Sequence, residues 1–188
     1  MTTGMIIFIG ILVFIGILSL WCIGIFNSLV RLHAMVSEGW SGISVQLKRR
    51  ADLIPNLVAV VKQYSIHEKG VLEEVTRMRS VSMQATSITD KVQAEAGLTG
   101  ALKTLFAVAE NYPNLKANEN FMALHKDLGS LEDELQLSRR YYNGAARNYN
   151  IIAQSFPSSL VARMTGFVLA PYFELDSESE RQVPTVQF

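Results

Sequence analysis

The sequence predicts an all-α protein, in which an N-terminal transmembrane helix precedes an antiparallel four-helix bundle with long, coiled-coil-like helices and an extended C-terminal tail. Three observations support this fold class. The first 30 residues carry no charged side chain, apolar residues then recur at steps of three and four, and no useful length of chain alternates with the period of a strand. We therefore expect a short tail (1–4), a transmembrane helix (5–26), a helical-bundle domain (27–156), and a short helix with an extended tail (157–188).

The charge balance argues against one broad class of partner. Seventeen basic and seventeen acidic residues cancel over the 188 residues, so there is no electrostatic case for a nucleic-acid partner. The only cysteine, Cys22, lies in the apolar leader. Neither an intramolecular disulfide nor a cysteine-based zinc site is therefore expected.

The leader has the length of a membrane span. Residues 5–26 are uncharged, and about 20 apolar residues cross the ~30 Å hydrocarbon core of a bilayer. A cleavable signal peptide would need a basic N-terminal region, which this sequence lacks. We expect a retained anchor in the lipid bilayer from Met5 to Phe26, with Trp21 and Phe26 at its interface. Because Arg31 follows the span and no basic residue precedes it, we expect the N-terminus outside and the helical domain in the cytoplasm.

The first helix is predicted to continue from the anchor to about Tyr64. Its apolar positions keep one helical register on both sides of Pro55, so we expect one long helix, bent at Pro55. The alternative is a new helix with Asp52 as N-cap and Pro55 in its first turn. In the continuous helix the proline frees the carbonyl of Ala51, and Asn56 is the candidate donor for it. The positions in register are Leu29, Leu32, Val36, Trp40, Ile43, Leu47, Ala51, Ile54, Val58 and Val61.

Two shorter helices are expected next. Ser65 and Glu68 form a capping-box pattern that opens the second helix. After a turn, Asp90 with Gln93 starts the third helix, and Pro113 closes it. The apolar positions of the two helices are Ile66, Leu72, Val75, Met78 and Ala85, followed by Leu98, Leu102, Phe106 and Ala109.

The fourth helix has the most regular pattern in the chain. Its stripe keeps alternating steps of three and four over five heptads, which is typical of coiled-coil packing. It can be the long member of the bundle or an intermolecular coiled coil; three partner helices in the same chain favour the bundle. Pro157 is expected to end it, before a short amphipathic helix and the tail. The stripe comprises Phe121, Leu124, Leu128, Leu131, Leu135, Ser138, Tyr142, Ala145, Tyr149, Ile152 and Phe156.

No arrangement of residues in the sequence indicates catalysis. The Glu-x-x-His pairs of carboxylate-bridged metal sites are missing, as are a P-loop, GxGxxG and G-x-S-x-G. We therefore expect a protein that is not an enzyme and that holds no cofactor or metal.

One segment is a candidate for binding. The basic run at residues 48–50 can meet phosphate or an acidic partner, or it can lie on a solvated face with Arg49 or Arg50 paired to Asp52 or to another helix. The candidate interaction surface comprises Lys48, Arg49, Arg50, Asp52, Pro55 and Asn56.

Several blocks of the sequence together resemble the LemA family. The stretch that begins "FNSLVRLHAMVSEGW" and includes "KRRADLIPNL", followed by "YPNLKANENF", "RRYYNGAARNYN", "FPSSLVA" and "VPTVQF", is similar to the blocks of that family in the same order. The resemblance implies an N-terminal membrane helix, a short extracytoplasmic N-terminus and a helical-bundle domain. Related proteins among magnetosome membrane components imply membrane organisation, and the resemblance implies no reaction.

These observations predict a non-catalytic scaffold or interaction module that organises membrane-associated partners, including self-assembly as a homo-oligomer. The protein partners are not identified by the sequence. The alternative is an accessory subunit of an envelope enzyme or of a protein quality-control complex, in contact through the 48–56 segment.

Overall fold

The computed structural model describes residues 2–64 and 68–173, and the regular structure in these ranges is entirely helical. The all-α prediction is therefore confirmed, whereas the antiparallel four-helix arrangement stays a prediction. The helices are α1 (Thr2–Tyr64), α2 (Lys69–Gln84), α3 (Ile88–Ala109), α4 (Pro113–Lys116), α5 (Glu119–Gln154) and α6 (Ser158–Met164).

Helix α1 is one helix from the apolar leader to Tyr64, with Pro55 inside it. The predicted continuity and the predicted end at Tyr64 are confirmed, and the alternative of a new helix capped by Asp52 is wrong. All ten positions of the predicted stripe are buried or half-buried. Among the described residues, α1 is the one helix long and apolar enough to cross a membrane.

The starts of α2 and α3 differ from the predictions. Glu68 is the N-cap of α2 but makes no capping side-chain hydrogen bond, and Ser65 lies outside the described residues. Helix α3 is capped by Ser87, three residues before Asp90. The Ser87 hydroxyl oxygen accepts from the backbone N–H of Asp90 and also donates to the Asp90 carboxylate, at 3.0 and 2.6 Å. Asp90 thus lies in the first turn, where a carboxylate favours the helix N-terminus.

Two prolines were expected to end helices and instead begin them. Helix α3 ends at Ala109, and Pro113 is the first residue of the short α4, because its fixed φ suits that position and no N–H is needed there. Helix α5 ends at Gln154, and Pro157 is the N-cap of α6. Phe156, the last position of the predicted α5 stripe, is consequently 82% exposed.

The chain forms two compact units, and α1 and α5 contribute to both. We call residues 2–42 and 140–172 the anchor unit, and residues 43–139 with residue 173 the central unit. The core of the central unit is aliphatic and aromatic, and it is formed by the inward positions of α1 to α5. Its largest contributors include Ile54, Leu57, Val75, Leu98, Leu105, Leu115 and Phe121.

In the anchor unit, α1 and α5 approach each other closely. A Cβ atom built on Gly39 would lie 3.0 Å from the Cα of Tyr142, so glycine is the residue that permits this contact. The ring of Trp40 packs on the ring of Tyr142 with 5.9 Å between centroids. Tyr142 is fully buried, as its place on the predicted stripe requires.

Candidate functional site

The predicted interaction surface divides into an exposed face and a buried side chain. Lys48, Asp52, Pro55 and Asn56 are all exposed, and their spacing of four, three and one places them on one face of α1. The Nζ of Lys48 donates to the carboxylate of Asp52 at 2.9 Å. Because both side chains are more than half exposed, this pair contributes little stability. These four residues form what we call the exposed face of α1.

Arg49 joins α1 to α5 at the surface of the central unit. Its guanidinium lies 3.1 Å from the carboxylate of Glu134, and both side chains remain about half exposed. Pairing of Arg49 with another helix was part of one of the two alternatives that we considered for the basic run at residues 48–50. It leaves the positive charge of Arg49 accessible beside the exposed face.

Arg50 lies on the opposite side of α1, inside the central unit. Its side chain is only 8% exposed, and its Nη1 lies 3.6 Å from the carboxylate of Glu95 and 3.2 Å from that of Glu132. Nη2 donates to the hydroxyl of Thr99 at 3.1 Å. Arg50 therefore connects α1 with α3 and α5, and it is the one member of the predicted surface that is not exposed.

Glu95 is the counterion that the sequence analysis missed. Its side chain is 1% exposed, and its second carboxylate oxygen accepts from the hydroxyl of Ser82 on α2. A buried carboxylate is costly unless it is paired and hydrogen-bonded. Arg50 supplies the opposite charge at 3.6 Å and Ser82 supplies a hydrogen bond to Oε1, while Oε2 of Glu95 has no hydrogen-bond donor among the described residues. The signal was present, because Glu95 lies three residues before Leu98 and four before Thr99 on the inward side of α3.

A second arginine extends this network along α5. The Nη1 of Arg139 lies 3.8 Å from the carboxylate of Glu132, which is thereby shared between two arginines. The guanidinium of Arg139 also lies over the ring of Phe173, 4.9 Å from its centroid, in a cation–π contact. Phe173 is the last described residue and is buried in the central unit.

A cleft of about 610 Å³ lies in the central unit beside this network. Its lining carries both signs of charge, with basic Arg50, Lys103 and Arg139 against acidic Glu132 and Asp133. The other lining residues are Thr99, Leu102, Phe106, His125, Leu128, Gly129 and Gln136.

One hydroxyl and one imidazole line this cleft, and both contact neighbouring side chains. Thr99, whose hydroxyl is the only alcohol in the lining, accepts from Arg50, and the ring of His125 stacks on Phe106 at 4.4 Å. Within the described ranges no group of three His, Cys, Asp or Glu side chains could hold a metal.

Pro55 has a structural consequence that the sequence predicted only in part. The carbonyl of Ala51, which loses its helical partner to the proline, accepts from Nε of Arg79 on α2 at 2.6 Å. The expectation that Asn56 supplies this donor is wrong, because Asn56 lies on the exposed face. The proline thus creates an acceptor through which α2 attaches to α1.

In the anchor unit, side chains of the block "RRYYNGAARNYN" of α5 form hydrogen bonds with the backbone of a later segment. We call residues 167–172 the extended segment. The hydroxyl of Tyr142 donates to the carbonyl of Pro171 at 2.7 Å, and that of Tyr149 donates to the carbonyl of Val168 at 2.8 Å. The amide of Asn150 donates to the carbonyl of Ala170 and accepts from its N–H, both at 2.9 Å. Three side chains of α5 therefore fix the extended segment through its backbone.

Burial raises the pKa of Tyr142 and of Tyr149 above the ordinary value of a tyrosine. Both phenols are accordingly kept neutral and able to donate. Tyr142 is buried, as its place on the predicted stripe requires, and its hydroxyl has an acceptor in Pro171. The roles of Tyr149 and Asn150 were not predicted, because the acceptors lie about 20 residues further along the chain.

The predicted membrane-span residues are exposed within the anchor unit. Met5, Trp21 and Phe26 are 61%, 45% and 40% exposed. The other apolar side chains from Ile6 to Ile23 are also mostly exposed, so the protein itself does not cover this part of α1. A surface of this kind is what a lipid-facing helix presents.

Comparison with known proteins gives a consistent result. The model of the LemA family matches residues 39–188. The chain is 28% identical over 163 residues to Protein LemA of Metamycoplasma hominis, with 85% of this chain and 73% of that protein covered. It is 24% identical over 188 residues to Magnetosome protein MamQ 2 of Paramagnetospirillum magneticum, and 22% identical over 188 residues to Magnetosome protein MamQ of Magnetospirillum gryphiswaldense, with 86% of this chain and 69% of each relative covered.

Proposed function

The chain belongs to the LemA family, and from this premise we propose that it is a membrane-anchored, non-catalytic interaction module that organises membrane-associated partners. The main support for the proposal is the course of helix α1. The same helix begins with an exposed apolar stretch of membrane-spanning length and continues into the packed core of the central unit. A module attached in this way remains at the membrane while its charged surface is available to partners.

We also propose how the chain is placed in the membrane and how its helices are arranged. Residues 5–26 span a bacterial inner membrane once, with the N-terminus outside and the remaining helices in the cytoplasm. The basic bias near the span supports this orientation, since Arg31, Arg140, Arg147 and Arg163 lie in the anchor unit outside residues 5–26 against a single acidic residue, Glu38. The long helices form an antiparallel four-helix bundle, and the protein self-assembles as a homo-oligomer.

We also propose that the protein is not an enzyme. The two buried charges Arg50 and Glu95 are directed at each other, and Arg50 also pairs with the half-exposed Glu132. The nucleophile most reactive by type, Cys22, lies within the proposed span. Relatives named as magnetosome proteins support a role in a larger assembly.

A photo-crosslinking experiment in cells tests the interaction module. A photoreactive amino acid at Asn56 places the probe on the exposed face of α1, and the same probe at exposed Thr104 on α3 is the matched control. We expect discrete crosslinked products from position 56, either with a second copy or with a membrane-associated partner. If both positions give the same weak background, the exposed face has no partner and the proposal fails.

The exposed face also favours the alternative that the protein is an accessory subunit of an envelope enzyme or a quality-control complex. Lys48 and Asp52 pair with each other at the surface, so their substitution by alanine changes the face with little effect on the fold. For an accessory subunit, the Lys48→Ala/Asp52→Ala variant should lose co-purification with one large complex while its melting temperature is unchanged. Retained co-purification would remove this alternative.

A further inference from the structure

The segment that follows α5 exposes a row of large apolar side chains. Phe156, Leu160, Met164 and Val168 are 82%, 54%, 87% and 79% exposed, and each lies four residues after the one before. Leu160 and Met164 lie on one face of α6, whose opposite positions Ser158 and Ala162 are buried, while Phe156 precedes the helix and Val168 follows it. We call residues 156–169 the juxtamembrane segment.

Both ends of the juxtamembrane segment contact α1 where the proposed span ends. Pro157 and Ser158 line a cleft of about 410 Å³ together with Trp21, Gly24, Ile25, Ser28 and Ile152. At the other end, the ring of Phe167 packs on that of Phe26 with 5.9 Å between centroids. With a rise of ~1.5 Å per residue, residues 21–28 cover only about 10 Å of α1. The segment therefore lies at the level of the headgroups if residues 5–26 span the bilayer.

The juxtamembrane segment is held in place rather than loosely attached. Helix α6 ends in a Schellman motif, in which Phe167 N–H donates to the carbonyl of Ala162 and Gly166 N–H donates to that of Arg163. Gly166 adopts the left-handed conformation this motif requires, with φ of 78°. Tyr149 then fixes the carbonyl of Val168. The exposed apolar row is consequently part of the folded anchor unit.

The anchor unit outside residues 5–26 carries a positive net charge. Outside residues 5–26 the anchor unit contains four arginines and one glutamate, and exposed Arg163 lies within α6 itself. Basic residues close to an apolar face are what attracts a protein surface to anionic lipid headgroups. Exposed apolar side chains on a fixed segment that includes basic Arg163, in a unit of positive charge at headgroup level, therefore match a lipid interface.

We propose that the juxtamembrane segment is a second membrane contact, which inserts Phe156, Leu160, Met164 and Val168 into the interface of an anionic bilayer beside the end of α1. This inference rests on the proposed span of residues 5–26. It adds a lipid-binding surface that lies about 130 residues further along the chain.

Site-specific fluorescence in vesicles tests the contact in the full chain. In a Cys22→Ser background, single cysteines at Leu160 and Met164 carry an environment-sensitive NBD probe. A cysteine at Leu137 of the central unit is the matched control, because Leu137 is a leucine of similar exposure, 61% against 54% for Leu160. A cysteine at Ile15 reports the span itself. The vesicles contain phosphatidylcholine and phosphatidylglycerol, with nitroxide lipids labelled either near the headgroup or deep in the acyl chain.

We expect the headgroup-level nitroxide to quench positions 160 and 164 several-fold more than position 137, and the deep nitroxide to quench position 15. Aqueous iodide should quench position 137 and spare the other three. If positions 160 and 164 behave like position 137 while position 15 is still quenched, this inference is wrong and the anchor stands. If position 15 is not quenched by lipid, the proposed span is wrong.

Two further outcomes would overturn parts of the proposal. Protection of positions 160 and 164 from iodide without quenching by lipid would mean that protein, such as a second copy, covers the row. Equal quenching in vesicles of phosphatidylcholine alone would overturn the assignment of anionic headgroups. An Arg163→Gln variant should weaken the quenching at position 164 only in the vesicles that contain phosphatidylglycerol.

Discussion

The anchor unit and the central unit hold their helices together with different chemistry. In the anchor unit, neutral side chains of α5 bond to backbone groups of the extended segment, and the pairs involve Tyr142, Tyr149 and Asn150. In the central unit, the polar contacts between helices include a buried ionic network, with Arg50 between the carboxylates of Glu95 and Glu132.

This difference determines how much a single substitution costs. Removing one neutral hydrogen bond costs about 1 kcal/mol, whereas removing one partner of a buried ion pair leaves an uncompensated charge and costs about 3–5 kcal/mol. Neutral bonds also suit the proposed place of the anchor unit beside a bilayer, because an unpaired charge is most costly in a medium of low dielectric constant. Substitutions in the two units should therefore differ in their effect on stability.

The Arg50→Ala variant should lose about 3–5 kcal/mol of stability, because the carboxylate of Glu95, which is 1% exposed, is left without its counterion. Hydrogen exchange measured by mass spectrometry on the full chain would report the loss in peptides of α2 and α3. The matched control is Arg49→Ala, which breaks an exposed pair with Glu134 and should cost at most about 1 kcal/mol.

A double variant sharpens this prediction. Replacing Arg50 by Met and Glu95 by Leu removes both buried charges, so protection should recover relative to Arg50→Ala. If Arg50→Ala costs no more than Arg49→Ala, the ionic network is not what holds the central unit together.

The Gly39→Ala variant should destabilise the anchor unit by about 1–3 kcal/mol, since the new Cβ would lie 3.0 Å from the Cα of Tyr142 and the helices must separate. Trp40 packs on Tyr142, so its fluorescence should change in the variant. Gly42→Ala, three residues along the same helix, meets nothing within 4 Å and should be neutral or slightly stabilising. Equal effects of the two substitutions would contradict a close helix contact at Gly39.

The Tyr142→Phe variant should lose about 1 kcal/mol at neutral pH and should increase hydrogen exchange near Pro171, whose carbonyl loses its donor. Because burial raises the folded-state pKa of Tyr142 above the unfolded value of about 10, its neutral form stabilises the fold fully below pH 10. That contribution is lost as the pH rises through the raised folded-state pKa.

The stability of the anchor unit should therefore fall more steeply above pH 10 in the wild type than in Tyr142→Phe. Tyr149 behaves in the same way, since burial also raises its pKa. Unfolding measured by denaturant between neutral pH and pH 11 checks the slope. Parallel curves for wild type and variant would show that the phenol of Tyr142 does not titrate with folding.

The sequence was sufficient for the helices and their inward faces but not for the contacts between distant segments. The register of α1 through Pro55 was predictable because apolar spacing is a local property of the chain. The partner of the Ala51 carbonyl was not, since Arg79 is 28 residues away and many donors compete for a free acceptor. The long apolar start of α1 was predictable for the same local reason, from its length and lack of charge, whereas the membrane span from Met5 to Phe26 stays a prediction.

The errors at helix ends have a physical cause as well. Proline was taken as a terminator at residues 113 and 157, although it is equally suited to the first turn of a helix. At the candidate site, Arg50 lies three residues after Leu47 and four before Ile54, so the register of α1 already separates it from the exposed Arg49. Its partners on α3 and α5 were not predictable, because they lie 45 or more residues further along the chain.

The glycines of α3 also show that contacts between helices cannot be predicted from the sequence alone. Their substitution by alanine has the smallest predicted effect on stability. From sequence alone, Gly97 and Gly100 each weaken the helix by about 1 kcal/mol relative to alanine. In the structure a Cβ at Gly100 meets nothing within 4 Å, whereas one at Gly97 would lie 3.0 Å from the sulfur of Met78. Gly100→Ala should stabilise the central unit by about 0.5–1 kcal/mol. Gly97→Ala should gain less, because the Met78 side chain must move. Denaturant unfolding of both variants against wild type measures the difference, and a larger gain for Gly97→Ala would mean that α2 and α3 are not packed as closely as described.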